Sequence, residues 1–311
     1  MSKVVLTSTQ TNNPSQTEID QAVKRALDLL NYDFSTKTEK VIIKPNLCYY
    51  WDASTGETTD PRVVSAVIDY VKSKLGEDVS VSIAEADASS MKTKYCFKAL
   101  GYDKLGRSKK VDLINLSDGS IVDKKVTVKN KEIVLPINEV LLQADLIINI
   151  PKLKTHTVAG VTCCMKNMFG GISKPRKFSY HKMLSNVIVG VNKIVKSNIG
   201  LVDGIIARGS CPKKLGVLVA GNNPLIIDSI AAKAIGFNPK RVQHLNLAEK
   251  EKIGSLGDVQ LIEDNVKLAD VKRRFPSYSF GMQSFLWKTQ IKMLRMYAKI
   301  AGDIVPPVLD Q

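Results

Sequence analysis

No stretch of this chain approaches the roughly 20 consecutive apolar residues that a membrane-spanning helix needs. Cysteine is scarce and badly arranged for a framework. There are five (Cys48, Cys96, Cys163, Cys164 and Cys211), an odd number with no CxxC spacing. That argues against a disulfide scaffold, and the clustered run that a four-cysteine iron–sulfur centre normally uses is missing. Aromatic residues make up only 6%, too few to suggest a stacking platform for single-stranded nucleic acid. Histidine occurs three times. Met1-Ser2-Lys3 runs straight into the strand-like VVLTST without a signal-peptide pattern, so a cytoplasmic location is expected.

What is abundant is lysine and apolar residues. The 311 residues are 44% hydrophobic and 24% charged, with a formal net charge of +15. Such a balance favours acidic ligands, nucleic acid or an anionic membrane surface. The lysines are spread along the whole chain and outnumber arginine, which reads as a solvated surface and against a nucleic-acid specialist.

The patterning predicts α/β architecture: a mainly parallel sheet flanked by helices, with a small antiparallel hairpin insertion and a C-terminal helical tail. Strands are expected at Val4–Thr7, Lys40–Lys44, Val79–Ala84, Val111–Leu116, 145–150, Ile199–Asp203, Val217–Gly221 and Val259–Glu263. A helix from Ser15 to Leu30 carries Ile19, Val23, Ala26, Leu29 and Leu30 at helical spacing, with Thr17 as its expected cap. Asp60-Pro61 has the form of a cap and first turn for a helix through Lys74. Further helices are expected at 92–100, 137–144, Met183–Val195, Pro224–Ile235 and 241–252, and Gly236 is suited to ending the fourth of these. Residues 121–135 alternate apolar and polar around Asn130-Lys131, a hairpin signature. Residues 1–277 are read as a single α/β domain, or as two lobes hinged near 140–200. Residues 278–311 are read as a basic amphipathic helix or tail, packed on the body or lying on a membrane or partner.

Residues 144–181, ADLIINIPKLKTHTVAGVTCCMKNMFGGISKPRKFSYH, concentrate the chemistry. An apolar strand ends at Pro151, and a cationic loop with Lys152, Lys154 and His156 follows. Lys166-Asn167, a Phe169-Gly170-Gly171 turn, Arg176 and His181 come next. Two of the three histidines lie here. Strand ends are the usual place for a site in an α/β sheet. His156 and His181 can serve as general acid and base or as metal ligands. Lys166 can bind an anion or act as a nucleophile, or it can simply be solvated. Asn167 can orient a carbonyl. Lys44, Asn46, Lys152, Lys154 and Arg176 add anion-binding capacity, and Gly170 and Gly171 allow close backbone approach. Glu85 and Asp87, at another strand end, are candidate metal or proton-transfer groups beside His156 and His181. Asp203 and Asp228 are caps or crevice carboxylates, and Asp228 in its apolar setting would need a partner such as lysine. Cys163-Cys164 reads as small core packing, His244 as a surface residue.

In KPNL (44–47), TDP (59–61), PKLKTH (151–156), MKNMFGG (165–171), His181, VDGI (202–205) and IIDSIAAKAIGFNP (226–239), the chain resembles the prokaryotic domain-of-unknown-function 362 family, over about residues 40–262. Many members carry a ferredoxin-like module. This chain lacks that cysteine run, so no iron–sulfur cluster is expected. A second, partial resemblance is to the N-terminal half of the nickel-dependent lactate racemase family, in which a histidine, a lysine and a later histidine surround a nickel-pincer nucleotide. His156, Lys166 and His181 are similarly spaced, but the stretch AEADASS (84–90) holds Glu85 and Asp87 where the racemases have another histidine.

Three functions compete. The first is an enzyme acting on a small carboxylate, phosphate or nucleotide-like ligand by proton transfer, isomerase- or racemase-like, with or without a divalent metal. The second is a metal- or cofactor-binding maturation or carrier protein using His156, His181 and Cys163 or Cys164. The third, a basic nucleic-acid-binding module, is disfavoured by the composition.

Overall fold

A computed structural model describes residues 2–257 and 259–276, together with positions 293 and 296. The described residues form twelve strands and ten α-helices, alternating in the first part of the chain and broken by strand runs later. The central sheet runs β12 (Val259–Glu263), β1 (Ser2–Ser8), β11 (Pro212–Gly221), β10 (Ile199–Arg208), β7 (Leu146–Ile150), β2 (Lys40–Pro45), β3 (Ser80–Glu85), β4 (Asp112–Asn115). β2, β3, β4, β7 and β10 are mutually parallel neighbours, while β11 is antiparallel to both β10 and β1. β10 and β11 extend well past the expected strands and form one long hairpin.

Successive strand residues go to opposite faces, so the sheet separates two cores. Ile42, Ile147, Val202 and Val219 point to one face. There they meet α7 (Leu184–Ile194), α8 (Pro224–Ala234), α9 (Gln243–Lys250) and the hairpin β5 (Ile121–Val128) with β6 (Lys131–Asn138). Val41, Ile43, Ile148 and Leu201 point to the other, against α1 (Gln16–Leu30), α2 (Pro61–Leu75), α3 (Thr93–Ala99) and α4 (Tyr102–Lys109).

The helix ends follow from local chemistry. Ser15, not Thr17, caps α1: it forms a reciprocal capping box with Glu18, which Thr17 lies too far into the helix to make. Asp60 caps α2 with Pro61 in its first turn. Asn223 caps α8, and Gly236 follows it at φ 87. The hairpin turn sits one residue earlier than the sequence suggests. Lys129 and Asn130 both have positive φ, the pattern of a two-residue primed turn. The tail expected at 278–311 lies outside the described residues, apart from Met293 and Met296, which are helical and exposed. No helix among the described residues is long and apolar enough to cross a membrane.

β3 and β4 extend the sheet to one side of β2, and β7 and β10 to the other. The strand order therefore reverses between β2 and β7, and the crevice beyond their carboxyl ends is where such sheets bind ligands. β7 stops at Pro151. The expected cationic loop is in fact a further strand, β8 (Lys152–His156), which pairs with β10 and folds back on β9 (Gly160–Thr162). Lys152 and Lys154 pair with β10 across an irregular register, and Lys154, Thr155 and His156 pair with β9, so the backbone that carries these side chains is held as strand.

Candidate functional site

The carboxyl ends of β2 and β3 deliver Lys44 and Glu85. Lys44 Nζ donates to Glu85 Oε1 at 2.8 Å, and both side chains are buried. Glu85 also accepts from the backbone N–H groups of Leu47 and Ala86. Directly over this pair lies Gly170, where a Cβ would stand 2.8 Å from both Glu85 Oε1 and Lys44 Nζ. Asn167, on the short helix α6 (Cys164–Asn167), ties the turn to the sheet. Its Nδ2 donates to the carbonyls of Lys44 and Pro45 and to Asn149 Oδ1 at 2.8 Å. Asn149 passes the connection on to the Cys164 carbonyl. Asn149 was not singled out from sequence, although a polar residue inside the buried LIINI strand is a readable signal.

β8 carries Lys152, Lys154 and His156 at every second position. Lys152 is fully buried and paired with Asp203 at 2.8 Å. Asp203 also accepts from the N–H groups of Asp60 and Ile205. This is an internal ion pair within the sheet. Lys154 donates to the carbonyl and carboxylate of Glu57 at 2.8 and 2.9 Å. Burial pulls its pKa down, but Cys48 and Glu57 outweigh that, and the net shift is upward. His156 Nδ1 accepts from the N–H groups of Val158 and Ala159 at 3.1 Å, so the proton of the neutral ring sits on Nε2. Burial, followed by Lys166 and Lys154, lowers the His156 pKa well below its ordinary value.

These side chains meet in a cavity of about 240 Å³. Of the residues expected at a site, it gathers Asn46, Glu85, Lys154, His156, Lys166, Asn167, Gly170 and His181. Lys44 stands behind Glu85. Lys152, Gly171 (packed toward Leu141), Asp87 (bound to the Thr93 N–H) and buried Arg176 do not line it. Cys48, Tyr49, Thr162 and Lys177 do line it, and sequence reasoning passed over them. The lysine-rich background hid Lys177. Thr162 became visible only once β9 was paired to β8.

The electrostatics are one-sided. Burial lowers the Lys166 pKa to about 8, with Lys154 pushing the same way. Its ammonium lies 5.7 Å from the centre of the Phe169 ring, on which His181 also packs edge-on. Burial likewise takes Lys177 to about 8, although Glu85 and Asp87 oppose it; Lys177 donates to the Asp87 carbonyl. A larger cleft of about 380 Å³ shares His181. The cations on its wall, Lys182 and Arg241, are exposed, so the smaller cavity holds the perturbed groups that mark functional sites.

Two residues depart from expectation. His244 is 1% exposed, not a surface residue, and burial lowers its pKa to about 3. Asp228 is buried without a lysine; it caps α6 instead, accepting from the Cys164 and Met165 N–H groups at 2.7 and 2.9 Å. Burial raises its pKa to about 7. Cys163 and Cys164 are fully buried in the core beside it, and the donor atoms of the three lie within 4.8 Å of one another. Among the described residues, that group has metal-ligand spacing, and the set His156, His181, Glu85 and Asp87 does not.

A doubly covered α/β sheet with a cationic cavity at its strand-order reversal defines the class. A family model described as "Domain of unknown function (DUF362)" matches residues 41–233, and the chain belongs to that family. Thylakoid-associated protein sll1697 of Synechocystis sp. is 22% identical over 240 residues, covering 71% of this chain and 70% of that protein. The lactate racemase apoprotein from Thermoanaerobacterium thermosaccharolyticum has a similar structure, with a TM-score of 0.41 and 15% identity. The similarity covers 79% of this chain but 56% of that one, so the present chain spans a little over half of its length.

Proposed function

We propose that this protein is an enzyme that acts on a small anionic molecule, a carboxylate, phosphate or nucleotide-like compound, by proton transfer in the 240 Å³ cavity. One observation carries the reading. Lys44, Lys152 and Lys154 each have a carboxylate partner. Among the described residues, Lys166 and Lys177 have none at ion-pair distance, yet both face the cavity. Lys177 is buried and Lys166 half-buried; cations drawn out of water are ordinarily paired, and a bound anion supplies the missing charge.

Lys166, with a pKa of about 8, exchanges between ammonium and amine near neutral pH and is the proton carrier. The Nε2–H of neutral His156 donates to the oxygen on which charge develops. His181, on the same wall, is the second acid–base group, and Lys177 holds the anion, with Asn167 fixing the turn that carries Lys166. Glu85 is engaged by Lys44 where the racemase resemblance calls for a histidine. The donor set for a nickel nucleotide is incomplete, and no step runs through one.

Calorimetric titration with oxalate and with inorganic phosphate tests the reading. Wild type should bind at least one of them, and Lys166→Met/Lys177→Met should lose about tenfold or more, that is ~1.4 kcal/mol or more. Failure of wild type to bind either at millimolar concentration would refute it. The buried Cys163–Cys164–Asp228 group supports a second reading, a metal carrier. For that, elemental analysis must find stoichiometric metal that Cys163→Ser/Cys164→Ser loses. A cytoplasmic location belongs to the same proposal. The thylakoid association named for the Synechocystis relative supports peripheral membrane contact through 278–305, and failure to float with anionic vesicles would remove that part.

A further inference from the structure

Cys48 follows β2 by three residues and stands on the cavity wall with Lys154 and Lys166. It is a free, half-buried thiol. Lys154 and Lys166 line the same cavity as Cys48, so two cationic side chains share its surroundings. The backbone around it is held tightly. Tyr49 has φ 53, a left-handed conformation that is strained for a bulky residue and persists where the surroundings enforce it. Cys96 Sγ donates to the Tyr49 carbonyl at 2.9 Å, and Glu85 holds the Leu47 N–H on the other side.

An independent feature of the same wall points to a ligand. Thr162 is 3% exposed, lines the cavity, and its Oγ1 has no hydrogen-bond partner. Asn46 Oδ1, also on the wall, is buried and unpartnered. Buried polar groups are nearly always satisfied, so a donor and an acceptor face a space already walled by Lys166 and Lys177.

We propose that Cys48 is a nucleophile that adds to the carbonyl carbon of a small aldehyde or ketone bearing a carboxylate or phosphate, held in this cavity by Lys177. This rests on the anion-binding reading above and names the chemistry of its ligand. The thiol proton passes to the neutral amine of Lys166. The sulfur lone pair forms the S–C bond while the π pair of C=O moves to oxygen, and that oxygen takes the proton back from Lys166. The product is a hemithioacetal or hemithioketal, with no net oxidation or reduction. Lys154, whose positive charge is reinforced by its neighbours, stabilises the transient thiolate. Thr162 and His156 supply donors for the carbonyl oxygen.

Alkylation followed by mass spectrometry tests this, with exposed Cys211 as internal reference. In a cationic cavity, anionic iodoacetate is concentrated relative to neutral iodoacetamide. The iodoacetate-to-iodoacetamide rate ratio should be about tenfold or more higher at Cys48 than at Cys211, and Lys166→Met should reduce it. Glyoxylate should slow labelling of Cys48 but not of Cys211, and Cys48→Ala should lower glyoxylate affinity by more than oxalate affinity. Equal ratios at the two cysteines, or a Cys48 that labels as fast with glyoxylate as without, overturns the proposal. If oxalate or phosphate still binds in that case, the nucleophile alone fails and the anion site stands. If neither binds, both fall.

Discussion

Replacing Gly170 by alanine is the sharpest perturbation of the site. Neither Gly170 nor Gly171 has positive φ, so a methyl group acts through contact alone. At Gly170 it would meet Lys44 Nζ and Glu85 Oε1 at 2.8 Å and Lys44 Cε at 3.2 Å. These are ends of side chains, but they are not free ends. Lys44 Nζ also donates to the Pro45 carbonyl, and Glu85 accepts two backbone N–H groups. Either the turn lifts off the sheet or the pair separates. Overpacking a filled interior costs about 1–3 kcal/mol, and full loss of a partner from a buried pair costs about 3–5 kcal/mol. Gly170→Ala should therefore destabilise by about 2–3 kcal/mol. Gly171→Ala meets one methyl of Leu141 at 3.1 Å, which can rotate away, and should cost under ~1 kcal/mol. Urea denaturation of the two variants, with unchanged m-values, gives the comparison. A Gly170→Ala protein within ~0.5 kcal/mol of wild type, or a Gly171→Ala protein equally damaged, refutes the steric account.

The remaining predictions concern buried charge. Lys152→Met should destabilise by about 3–5 kcal/mol by stranding Asp203, and Lys152→Met/Asp203→Asn should recover more than half of that; equal single and double losses by denaturation would show that the pair is not the cause. Asp228 and His244 act oppositely across mildly acid pH. A folded pKa of about 7 against 3.8 gives Asp228 a stabilising contribution below pH ~4 that is lost as pH rises to about 7, up to about 4 kcal/mol. A folded pKa of about 3 against 6.5 gives His244 a contribution present above pH ~6.5 and lost as pH falls toward 3. Wild type should change little in stability between pH 4.5 and 6.5 as the two offset each other. Stability of Asp228→Asn relative to wild type should rise with pH over that window, and stability of His244→Gln should rise relative to wild type as pH falls. Parallel profiles for all three proteins would exclude both titrations. Anion affinity should fall as pH rises through about 8, where Lys166 and Lys177 lose their charge; a flat calorimetric profile from pH 7 to 9 would remove them from the binding site.

Periodicity made much of the fold legible. The alternation at 121–135 gave the hairpin, and Asp60-Pro61 gave the start of α2, because both depend on neighbours in sequence. What stayed hidden depends on partners far along the chain. β8 reads as a loop because Lys152 and Lys154 are charged, and only Asp203, 51 residues on, makes Lys152 compatible with a buried strand. His244 reads as surface because the polar neighbours Gln243 and Asn246 flank it, yet α9 buries His244, Leu245 and Ala248 on one face. Asp228 reads as needing a lysine; its oxygens are instead satisfied by two N–H groups at the start of α6, 63 and 64 residues away. α4, directly after Gly101, was missed because Leu105 is flanked by Asp103, Lys104, Gly106 and Arg107, which break an apolar stripe.

The site itself emerges by subtraction. A net charge of +15 says little, because lysine is everywhere. The five lysines around the ends of β2, β3 and β7 are informative once each is assigned a partner. Glu85, Asp203 and Glu57 neutralise Lys44, Lys152 and Lys154, and those pairs brace the strand ends. The two lysines left over are the ones whose pKa values fall to about 8, and they share a wall with His156, His181 and Cys48. Lys177 keeps one hydrogen bond to the Asp87 carbonyl and Lys166 lies over the Phe169 ring, but neither contact supplies a negative charge, and burying an ammonium without one costs stability. Two ammonium groups without a carboxylate partner, at the strand-order reversal of the sheet, are what the proposed anion site rests on.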